Sequence, residues 1–60
     1  MYTLFIMYFV AAIPGQVPYT QQLVRYDLTY QQCQSAKAQE VSNILRRGDN
    51  VVRADCIRVN

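Results

Sequence analysis

The sequence contains no histidine or tryptophan, and only two of its 60 residues are cysteines. Without histidine, it lacks the side chain most often used for general acid–base catalysis. Two cysteines cannot supply the four Cys or His ligands of a structural zinc site. No glycine-rich phosphate loop or Ser/His/Asp set is present either. We therefore expect a protein that is not an enzyme, with no catalytic residues, no metal ligands and no cofactor.

Charged residues are scarce as well, at 17% of the sequence, whereas hydrophobic residues reach 52%. The four acidic residues are scattered along the chain, and the net charge of +2 neither requires nor excludes an acidic partner. A single domain of 60 residues, the most this chain can form, has little interior. Part of its apolar surface must therefore stay exposed or be covered by another protein.

Residues 1–13 form the longest apolar stretch, MYTLFIMYFVAAI, and no Lys or Arg precedes Arg25. Pro14 and Gly15 end the stretch well before the roughly 20 residues that a membrane-spanning helix needs, so we predict no transmembrane span. A signal peptide over residues 1–12 is an alternative, but its basic start is missing. The content of Tyr, Phe, Ile, Val and Thr favours a buried β-strand that is apolar on both faces.

The remaining sequence predicts a turn, two more strands and a helix. Ile13–Gln16 suits a type II turn, and residues 21–28 alternate as a second strand. Thr29 and Gln32 have the spacing of a capping box, which predicts a helix from Tyr30 to Arg47. Its apolar stripe combines Cys33, Ala36 or Lys37, Val41, Ile44 and Leu45. Gly48 suits the helix end, and residues 51–59 read as the last strand.

These elements predict one α+β domain over residues 1–60, with the arrangement ββαβ. The first strand is the most apolar, so we place it in the middle of a three-stranded antiparallel sheet of order 2-1-3. One helix then packs on one face of the sheet. This plan is similar to that of small bacterial and phage accessory proteins, a resemblance that implies no activity.

The two cysteines are predicted to meet. Cys33 lies early in the helix and Cys56 late in the last strand, which runs in the opposite direction, so both fall at one edge of the domain. A Cys33–Cys56 disulfide closes a loop worth about 3 kcal/mol in the chain-entropy model. Such a bridge implies an oxidising compartment or a virion surface. The alternative is two buried free thiols.

The sheet face away from the helix is predicted to remain uncovered. If Cys56 faces the helix, so do Val52 and Ala54, and the alternate residues point outward. Together with one apolar row of the first strand, they form an apolar patch rimmed by charge, which is typical of a protein interface. The predicted interface residues are Leu23, Arg25, Val51, Arg53, Asp55, Ile57 and Val59.

Two other motifs have ordinary structural explanations. Arg47-Gly48-Asp49 spells the tripeptide that integrins recognise, yet each residue suits the end of a helix. Arginines and tyrosines together can bind nucleic acid, but the tyrosines fall at strand positions that also serve packing, and Asp55 dilutes the basic patch. The sequence thus argues against a nucleic-acid partner.

The sequence favours a small binding or structural accessory module that packs through its open sheet face, on itself as a homodimer or on a larger assembly. A virion or phage component fits its size, and this favours a virion or the host cytoplasm as its location. One alternative is a phage-type inhibitor that occludes a host enzyme through the same face. Another is a periplasmic or secreted domain stapled by the disulfide, with residues 1–12 as its signal peptide.

Overall fold

The computed structural model describes residues 1–11, 15 and 17–59. In chain order its elements are β1 (Tyr2–Val10), β2 (Tyr19–Leu28), α1 (Tyr30–Arg46) and β3 (Asn50–Arg58). The strands form an antiparallel sheet of order β2-β1-β3, and α1 packs on one of its faces. The predicted ββαβ arrangement and strand order are confirmed. The turn predicted at Ile13–Gln16 lies outside the described residues except for Gly15, whose φ is +92°.

β1 lies between its two neighbours and pairs with both along nearly its whole length. Leu4 and Ile6, two positions apart, are fully buried beneath α1. The alternate residues of β1 point to the other side of the sheet. The strand that is apolar on both faces is therefore the central strand of the sheet, as its composition predicts.

α1 begins at a capping box, as predicted. The Thr29 hydroxyl accepts a hydrogen bond from the Gln32 N–H at 3.1 Å, and the Gln32 side chain accepts one from the Thr29 N–H at 2.9 Å. Arg47 is the C-cap rather than the last helical residue. Gly48 follows with φ of +90°, a left-handed conformation that glycine adopts without steric cost.

The apolar stripe of α1 is narrower than the sequence predicts. Cys33 and Ile44 are buried, and Val41 is packed against them, but Leu45 is exposed. At about 100° per residue, Leu45 lies about 120° around the helix from Cys33, whereas Ile44 lies only about 20° away. Leu45 was therefore wrongly included in the core.

β2 and β3 each contain an irregularity that changes which residues face α1. In β2 the pairing with β1 shifts between Arg25 and Leu28, and Asp27 between them has φ of +59°. In β3 the shift occurs between Val51 and Arg53. Each extra residue reverses the alternation of faces beyond it, as a β-bulge does.

The predicted disulfide is present. Cys33 of α1 is bonded to Cys56 of β3, with Cα atoms 6.0 Å apart. Leu4, Ile6, Cys33 and Ile44 form a small buried cluster, which partly buried residues of all three strands surround. The disulfide therefore lies within the core, where it ties the helix to an edge strand.

Candidate protein-docking face

The side of the sheet opposite α1 is called the open face here. Strand pairing defines its members, because directly paired residues on antiparallel strands point to the same side. β1 contributes every second residue, and its pairing partners on β2 and β3 complete the set. The open face consists of Thr3, Phe5, Met7, Phe9, Thr20, Gln22, Val24, Asn50, Arg53, Asp55 and Ile57.

The centre of the open face is apolar. Phe5 and Met7 are half-buried by their neighbours on the flanking strands, although no element of the described chain lies over them. Phe9 is 40% exposed, Val24 39% and Ile57 48%. Burial in a partner would remove these side chains from water at a gain of roughly 25 cal/mol per Å². The open face thus has the apolar centre expected of a protein interface.

The charges of the open face lie on β3 and balance each other. The guanidinium of Arg53 pairs with the carboxylate of Asp55, and both side chains remain accessible to water. Met7 lies beside Arg53, and Phe5 lies beside Asp55. Among the described residues of this face, one positive and one negative group therefore stand next to the apolar row.

Three of the predicted interface residues lie on the wrong side of the sheet for this role. Leu23 and Val51 pack against the core beneath α1. The Arg25 guanidinium lies 3.5 Å from the Glu40 carboxylate of α1, which places it on the helix side too. The bulges explain these errors. Strict alternation puts Leu23 on the same face as Asp27, but the extra residue in β2 puts it on the same face as Leu28. The extra residue in β3 likewise places Val51 beneath the helix and leaves Val52 exposed.

Arg53, Asp55 and Ile57 do lie on the open face, as predicted, although their role in an interface stays a prediction. Val59 follows the end of β3, where its N–H donates to the Met1 carbonyl at 3.0 Å and its side chain is exposed. The sequence predicts one β1 row on this face without deciding which row, and alternation with Leu23 predicts Val24 on the helix side, which is wrong. A bulge near Asp27 puts Leu23 on the helix side, and alternation then puts Val24 on the open face. Recognising that bulge is therefore the signal that would have identified Val24.

The Arg47-Gly48-Asp49 tripeptide is engaged within the domain. The Asp49 carboxylate accepts a hydrogen bond from the Ala11 N–H at 3.0 Å, and its other oxygen lies 3.6 Å from Arg47 Nε. The Arg47 guanidinium also lies 5.7 Å from the centre of the Tyr8 ring. These contacts join β1 to the turn before β3, which gives Arg47 and Asp49 a structural role.

Other kinds of site find little support in residues 1–11, 15 and 17–59. No cavity is present there, and no three His, Cys, Asp or Glu side chains are grouped to hold a metal ion. Within the same residues, no helix combines the length and the apolar character needed to cross a bilayer. The open face is accordingly the candidate functional site of the described residues.

Comparison with known proteins adds no further information, since no protein family, no curated protein and no solved structure matches the chain.

Proposed function

We propose that this protein is a small non-enzymatic binding or structural module that associates with protein through its open face. The observation that carries the proposal is the position of β1. This strand is apolar on both sides, yet α1 covers only the side that carries Leu4 and Ile6. The other side presents Phe5, Met7 and Phe9, and a strand of this composition is normally covered on both faces.

The shape of the open face supports protein as the partner. Three strands provide a broad surface without a cleft, and among the described residues no cavity could enclose a small ligand. Threonine, glutamine and asparagine at its margins supply polar groups around the apolar centre. An apolar centre with a polar rim is the usual anatomy of a protein interface.

A second candidate uses the same surface for inhibition. An open face that docks onto an enzyme and occludes its active site needs the same apolar centre and the same rim. What separates the two candidates is the identity of the bound protein, because an inhibitor is found bound to an enzyme whose activity it lowers. We keep a phage or virion origin as part of the proposal for both candidates.

The secreted alternative depends on residues 1–12 being removed. In the structure, residues 2–10 are the strand to which both β2 and β3 pair, and they contribute Leu4 and Ile6 to the core. Removing them would take away the central strand, with which both β2 and β3 pair. The mass of the mature chain distinguishes the two cases: loss of residues 1–12 supports secretion, and their retention supports the docking module.

Site-specific photo-crosslinking in the native host tests the proposed function. A photoreactive phenylalanine analogue replaces Phe5 on the open face, and a matched variant carries it at Leu45, which is exposed on α1. We expect a discrete protein adduct from position 5 and none from position 45. Absence of an adduct at position 5, or the same adducts from both positions, would contradict the proposal.

A further inference from the structure

We infer that the occupant of the open face is a second copy of this chain, packed sheet against sheet about a two-fold axis. The inference rests on the proposed function and specifies the partner. Three observations support it: the area of the face, the arrangement of its charges, and the row of side chains on β1.

The area of the open face suits a partner of the same size. Its strands have 9 or 10 residues. At about 3.3 Å per residue and about 4.8 Å between strands, each copy has a planar footprint of about 400 Å². Two copies together bury about 800 Å², an area typical of a weak, reversible dimer rather than of a permanent one. A second copy has the same outline and covers the whole face.

The charges of the open face are complementary to themselves. We place the two-fold axis midway between the two sheets and perpendicular to the strands, at the level of the paired residues Ile6 and Ala54. Rotation about this axis reverses the strand direction. A residue on one side of that level therefore lies opposite the partner's residue from the other side. Arg53 then lies opposite the partner's Asp55, and Asp55 lies opposite the partner's Arg53.

This arrangement forms an alternating group of four charges at one margin of the interface. Arginine has five N–H donors, so each Arg53 can keep its own Asp55 and also bind the partner's Asp55. The net charge of the described open face is zero, because these are its only ionised side chains. Two copies therefore meet without net repulsion.

The same axis matches the apolar rows. Phe5 pairs with Asp55 and Met7 with Arg53, so the rotation places Phe5 opposite the partner's Met7 and Met7 opposite the partner's Phe5. Farther from the axis, Thr3 lies opposite the partner's Phe9. Each aromatic ring thus faces a flexible or small side chain rather than another ring at the same position, which allows the two rows to interdigitate.

Charge reversal with mixing provides the test. Arg53→Asp and Asp55→Arg each give the open face two like charges, and Arg46→Asp is a control that changes the net charge as Arg53→Asp does, but at the end of α1. Far-UV circular dichroism confirms that each variant is folded. Sedimentation equilibrium then measures the dissociation constant of the wild type, of each variant and of an equimolar mixture of the two open-face variants.

We expect the wild type and the Arg46→Asp variant to dimerise alike, and each open-face variant to dimerise at least tenfold more weakly. The mixture should form a heterodimer, because the two carboxylates of the Arg53→Asp chain face the two guanidinium groups of the Asp55→Arg chain. A wild type that remains a 7.0 kDa monomer at millimolar concentration overturns the inference. So does a dimer that both open-face variants leave intact.

The crosslinking experiment separates failure of this inference from failure of the proposed function. If the wild type is monomeric but the probe at Phe5 still captures one different protein, the docking module stands and the second copy is wrong. If the wild type is monomeric and the probe captures no protein, both are wrong. If the adduct has twice the mass of the chain, both are supported.

Discussion

Cys33 and Cys56 join the first turn of α1 to β3, with Cα atoms 6.0 Å apart and a sequence separation of 23 residues. Closing a loop of this length lowers the entropy of the unfolded chain, which corresponds to about 3 kcal/mol of stability in the chain-entropy model. We predict that the variant Cys33→Ala/Cys56→Ala loses about 3 kcal/mol of unfolding free energy, measured by urea denaturation. Reduction of the wild type should give a similar loss. A change below about 0.5 kcal/mol in both experiments would show that the bridge does not stabilise the fold.

Ile44 and Leu45 are neighbours in α1 with opposite environments, since Ile44 is 1% exposed and Leu45 is 54% exposed. Ile44→Ala should cost about 2–5 kcal/mol, because it removes a core side chain and leaves a cavity. Leu45→Ala should cost less than about 0.5 kcal/mol, as is usual for a surface position. Thermal and urea unfolding of both variants measure the difference. Equal losses would mean that the rotation of α1 on the sheet differs from the one described.

The N-terminus of α1 depends on the Thr29 hydroxyl, which accepts the Gln32 N–H. We predict that Thr29→Ala destabilises the domain by about 1 kcal/mol, the usual value for loss of an N-cap. Thr29→Ser keeps the hydroxyl and should recover most of that loss. Chemical denaturation of the three proteins provides the measurement, and a Thr29→Ser variant no more stable than Thr29→Ala would argue against the cap.

The order of elements could be predicted from the sequence because each element has a local signal. The apolar stretch before Ala11 indicates a central strand, Thr29 and Gln32 indicate a helix start, and Gly48 indicates its end. The disulfide followed from the antiparallel course of α1 and β3. These features depend on residues near one another in sequence or on the strand order alone.

The composition of the open face could not be predicted in the same way. Strict alternation assigns Leu23 and Val51 outward, but the extra residues near Asp27 and at Val52 reverse it. Aspartate tolerates positive φ, so Asp27 carries a weak signal for its bulge. Val51-Val52 carries none, because the two residues are alike and only pairing with β1 determines which one faces the core.

The central claim is that one side of β1 is covered by this chain and the other by a second copy of it. It is tested most directly by NMR of methyl-labelled methionine and leucine with a paramagnetic cosolute, across a range of protein concentrations. Met7 lies on the open face, and Leu45, exposed on α1, is the internal reference. We predict that the Met7 methyl group is accessible to the cosolute in dilute protein and becomes protected as the concentration rises, while the Leu45 methyl groups stay accessible. A Met7 signal that remains accessible at every concentration, or is already protected in the dilute monomer, would contradict the account.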